Sequence, residues 1–131
     1  DGAVARVGTP SDLGGFLDLV GDFAVYAGFV VAVAVARPDA RLACLALLGT
    51  YYVSGTAFLA LSSLAERRRL SLGDERSLRF VGGLAEGFET IAAYVAFCLV
   101  PGHAGAVAWA FAAIVAITAA QRVALAVALL R

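Results

Sequence analysis

The chain has 131 residues, of which 62% are hydrophobic, and a mean hydropathy of +0.89. A soluble domain is about 45–50% apolar, so these values make lipid the expected solvent. Ten acidic and ten basic residues cancel, which leaves no net field to favour a nucleic-acid partner. All ten bases are arginine. Cys44 and Cys98 lie far apart in apolar runs and form neither a disulfide framework nor a metal-binding pair; packing is their expected role. No methionine occurs anywhere, and the N-terminus is acidic rather than basic, unlike a signal peptide. A piece of a longer chain is expected.

In chain order, residues 1–6 read as the tail of a preceding helix. A first span is expected over 11–36, opening after Thr9-Pro10 with Ser11 or Asp12 as N-cap and closing before Arg37-Pro38-Asp39. A second span is expected over 41–65; residues 42–65 carry no charge, and a span needs about 20 residues. A third, over 78–100, stops at Pro101-Gly102. A fourth, over 104–127, runs past Gln121-Arg122. The fold expected is a single, all-α, polytopic bundle of transmembrane helices. The loop after the second span holds Arg67, Arg68, Arg69, Arg76 and Arg79, whereas the opposite side has Arg37, Arg41 and His103. The excess of arginine makes the aspartate-bearing end the cytoplasmic one.

Asp18 and Asp22 fall inside the first span. An ionised aspartate at the bilayer centre costs at least about 2.5–3.5 kcal/mol, so something must compensate the pair. Gly14, Asp18 and Asp22 recur every four residues and therefore share one helix face. Two carboxylates one turn apart repel unless a cation lies between them, and oxygen donors suit Mg²⁺ or Mn²⁺. Asp1-Gly2 supplies a second acid–glycine pair across a short connection. A structural ion-pair network, or an ion or proton path in a transporter, remains open on the carboxylates alone.

Asp1, Gly2, Ala5, Arg6, Gly14, Asp18 and Asp22 read D-G-x2-A-R-x7-G-x3-D-x3-D. The pattern resembles the signature of the CDP-alcohol phosphotransferases, also called CDP-alcohol phosphatidyltransferases. That signature begins with another aspartate three residues before Asp1, a position that this chain does not contain. The resemblance implies six transmembrane helices, the first and most of the second lying upstream, and hence little turnover by the 131 residues alone. It implies that an alcohol attacks the phosphorus of a CDP-linked lipid such as CDP-diacylglycerol and releases CMP, in phospholipid synthesis. It also implies two Mg²⁺ or Mn²⁺ ions held by Asp1, Asp18 and Asp22, with Asp22 the catalytic base. Gly2, Ala5, Arg6 and Gly14 would serve the nucleotide and its phosphates, within a homodimer. The acceptor stays open among inositol phosphate, glycerol phosphate, serine and a second lipid. A transporter and a catalytically inactive member of the family are the competing readings.

Outside the signature, Glu86 and Glu89 share a helix face at i, i+3 and read equally as cavity-lining or structurally paired groups. Arg67, Arg68 and Arg69 read as an anchor to anionic headgroups, with an acceptor phosphate as the alternative ligand. Arg122 is expected at the cytoplasmic interface, and His103 in a solvated turn. Tyr51, Tyr52, Ser54 and Thr56 are expected to pack, with bonds between helices or contact with substrate as the alternatives.

Overall fold

The structure, a computed structural model, describes residues 12–67 and 87–130. Four helices account for nearly all of them: α1 (Asp12–Ala36), α2 (Arg41–Arg67), α3 (Gly87–Leu99) and α4 (Ala104–Leu130). No strand occurs among the described residues. At 1.5 Å per residue, α1, α2 and α4 are each about 38–40 Å long, enough to cross a hydrocarbon core of about 30 Å. Three helical stretches, Leu13–Ala36, Pro38–Leu64 and Pro101–Leu129, are long and apolar enough to span a membrane, with Thr90–Leu99 a shorter apolar piece. Of the expected third span, residues 78–86 lie outside the described residues.

The two corners are built alike. Proline disfavours helical geometry in the residue before it, and Arg37 (φ −127°, ψ 83°) and Val100 (φ −128°, ψ 60°) are accordingly extended. A single 3-10 turn follows each, Pro38–Ala40 and Pro101–His103, and leads directly into α2 or α4. Backbone bonds close both corners: Arg37 N–H donates to the Val33 carbonyl at 2.8 Å, and Val100 N–H to that of Ala96 at 3.0 Å. Both corners lie at the same end of the bundle.

That end holds the core. Ala40, Ala43, Ala104, Ala108 and Ala112 are buried, and their small side chains let α2 and α4 approach closely along the longest seam of the bundle. Leu47, Val30, Phe97, Phe111 and Val115 fill the space that remains, and Cys44 is packed among them, as expected for a buried thiol. Cys98 is exposed.

Toward the other end of α1, among the described residues, no side chain from Leu13 to Val25 is buried, and a β-carbon at Gly15 or Gly21 would meet nothing within 4 Å. The aspartates sit on this exposed part of the helix.

Candidate functional site

Gly14, Asp18 and Asp22 lie on α1 within one regular helix, and both aspartates are exposed. Their β-carbons are about 5–6 Å apart, as for any i, i+4 pair. Each four-residue step advances about 40° around the helix, and the next member of the series is Tyr26. Asp22 therefore opens toward the side on which Tyr26 lies. Asp1, Gly2, Ala5 and Arg6 lie outside the described residues, as do Glu86, Arg68, Arg69, Arg76 and Arg79. Among the described residues no group of three histidines, cysteines, aspartates or glutamates forms. The pair itself suits a hard divalent cation: two carboxylates on one face with open space around them. Such an ion accepts water for its remaining positions.

A cavity of about 780 Å³ lies between α1 and α2, and neither Asp18 nor Asp22 lines it. Phe23 and Tyr26 line it from α1, Tyr51 and Ser54 from α2, Thr90 from α3 and Arg122 from α4. The Phe23 ring packs over Gly55, where an added β-carbon would lie 3.0 Å from Phe23 Cζ.

Arg122 is the basic group of this cavity. Its side chain is buried, 9% exposed. Nη1 donates to the Ser54 hydroxyl at 2.8 Å and to the Ser54 carbonyl at 3.1 Å, and the guanidinium lies 5.1 Å from the Phe58 ring centre. Charged groups inside membrane helices usually face a bundle interior or cavity in this way.

Aromatic residues join α1 to the bundle. Tyr94 on α3 stacks on Phe29 at 4.1 Å between ring centres, and its hydroxyl donates to the Tyr26 carbonyl at 3.0 Å. The Tyr51 hydroxyl lies 3.3 Å from that of Tyr94. A phenol has one proton to give, and that of Tyr94 is used on Tyr26, so Tyr51 is the donor to Tyr94. Tyr51 and Ser54 thus bond between helices, whereas Tyr52 is 78% exposed and Thr56 lines the cavity.

At the opposite end Arg37 grips Asp39 through Nε at 3.0 Å and Nη2 at 2.9 Å. Arg41 Nε reaches the Ala34 carbonyl at 3.4 Å. Arg67, in the last turn of α2, is exposed.

No family model and no solved structure matches the chain. Over 107 residues it is 39% identical to the inner membrane protein YnjF of Escherichia coli (strain K12). The match takes in 77% of this chain and 50% of that protein, so the chain spans about half the length of the curated relative it matches. Its apolar helices agree with that relative's location. The chain is an integral membrane protein. Its lipid setting explains why large apolar side chains such as Leu13, Val35, Leu42 and Leu99 are exposed around the bundle.

Proposed function

We propose that this membrane protein is a metal-dependent CDP-alcohol phosphotransferase whose active site faces the cytoplasm. The observation that carries the reading is the Gly14–Asp18–Asp22 stripe on one face of a membrane helix. Asp18 and Asp22, with Asp1, would hold Mg²⁺ or Mn²⁺. When bound, such ions supply the positive charge that attacking and leaving phosphate oxygens need. The orientation rests on the arginines between α2 and α3, set against Arg37, Arg41 and His103 at the corner end.

The chain's residues divide the remaining work. The Asp22 carboxylate takes the proton of the acceptor hydroxyl as its oxygen bonds to the lipid-linked phosphorus. The bond from that phosphorus to the CMP oxygen breaks, and CMP leaves. Carboxylate bases contribute about 10²–10⁴-fold to such proton transfers. The cavity takes the acceptor, with Arg122 beside Ser54 offering charge to an anionic one and the Phe23 and Tyr26 rings excluding water. The lipid-exposed flank of α1 lets the donor's acyl chains stay in the bilayer.

The test is CMP release by the full-length protein in membranes, given CDP-diacylglycerol, Mg²⁺ or Mn²⁺ and a panel of acceptors. Release should depend on both metal and acceptor, and should fall at least about 100-fold in Asp22→Asn. No metal-dependent release with any acceptor would overturn the assignment. Asp22-dependent ion flux in its place would establish a transporter.

A further inference from the structure

The exposed part of α1 poses a positioning problem. If Asp18 and Asp22 hold a cation, their oxygens must be placed to within about 0.2 Å. A side chain about 5–6 Å from its helix axis moves about 1 Å when the helix turns by 10°. Among the described residues α1 buries no side chain between Leu13 and Val25; the Phe23 ring over Gly55 is an apolar contact and fixes no hydrogen-bond direction.

The nearest directional restraint described is the hydrogen bond at Tyr26. The Tyr94 hydroxyl reaches a backbone carbonyl of α1 one turn from Asp22 and two turns from Asp18. A bond to backbone fixes rotation and axial register together, which a bond to a flexible side chain does not. Tyr94 is itself held on two sides: its ring stacks nearly parallel on Phe29, at 11°, and its oxygen accepts from Tyr51. In a water-poor interior such a chain of hydroxyls reinforces itself.

We propose that Tyr94, steadied by Tyr51, is a positioning residue that sets the register and rotation of the Asp18–Asp22 carboxylate pair. The proposal rests on the reading of that pair as a metal site.

The experiment uses the full-length protein in lipid nanodiscs and follows Mn²⁺ binding by the loss of its free-ion electron paramagnetic resonance signal. Four proteins are compared: the unaltered chain, Asp22→Asn, Tyr94→Phe and Leu61→Ala. Tyr94→Phe keeps the ring on Phe29 and deletes only the hydroxyl. Leu61 is buried on α2 away from the tyrosines, so its truncation loosens the bundle without touching the Tyr26 bond. The expected result is tight binding by the unaltered chain and none by Asp22→Asn. Tyr94→Phe should bind about tenfold more weakly, and Leu61→Ala should bind as the unaltered chain does although it melts at a lower temperature. Unchanged affinity in Tyr94→Phe would overturn the positioning role and leave the metal site standing. Equal weakening in Leu61→Ala would overturn it too, since general loosening would then suffice. No Mn²⁺ binding by the unaltered chain would remove the metal reading and this proposal with it.

Discussion

Arg122 is held in the bundle by a residue 68 positions away, and that separation decides what the sequence reveals. Ser54 meets the guanidinium with its hydroxyl and its carbonyl, so the charge enters the interior already bonded. A hydrogen bond to a charged group contributes about 1.5–3 kcal/mol in water, but bonds between membrane helices average nearer 0.6 kcal/mol. Ser54→Ala should therefore cost about 1–2 kcal/mol, read from reversible unfolding in detergent. The Ser54 carbonyl still serves Arg122 in that variant, which keeps the loss moderate. Asp18 and Asp22 were legible because their spacing is local: a period of four puts them on one face whatever the rest of the chain does. That Arg122 bonds to Ser54 is not legible, because the partner lies on another helix. An interhelical role for Tyr51 is legible, but its partner is not: the bonded tyrosine pairs are 43 and 68 residues apart.

Helix α2 carries two glycines that illustrate opposite demands on the same element. Gly55 takes the Phe23 ring of α1, and a β-carbon there would crowd Cζ at 3.0 Å. At Gly49, one and a half turns earlier, a β-carbon would meet nothing within 4 Å. Gly55→Ala should destabilise by up to about 2 kcal/mol, the overpacking cost of about 1–3 kcal/mol less the gain of up to about 1 kcal/mol that alanine brings inside a helix. Gly49→Ala should stabilise by up to about 1 kcal/mol, because glycine is the costlier residue inside a helix. Unfolding of both variants in one detergent series would show the two signs, and Phe23→Ala should cancel much of the Gly55 penalty if the ring is its cause. The helices were legible as elements: α1 and α2 are uncharged for most of their length, and Arg37-Pro38 and Val100-Pro101 mark where the chain must bend. Which glycine is in contact is not legible, since both sit in equally apolar surroundings in the sequence.

Taken over the described residues, burial is uneven along the bundle. The corner end gathers the buried alanines and Phe97, Phe111 and Val115, and α1 buries no side chain from Leu13 to Val25. Hydropathy reports that helices cross a membrane but not where along their length they touch, so this asymmetry had no trace in the sequence. The corners also bear on how the chain enters the bilayer. Under the proposed orientation, the turn between α1 and α2 is the part carried across during insertion. An arginine alone at mid-membrane costs about 2.5–3.5 kcal/mol on insertion scales. Arg37 and Asp39 are two residues apart and grip each other through two nitrogens, so the turn can be translocated with its own counter-charge aboard. Asp39→Ala should thus leave a larger fraction of chains with the α1–α2 hairpin uninserted, measured by cysteine labelling from each side of the membrane. The ion pair adds little to the folded bundle, where both groups face outward; its value is in transit.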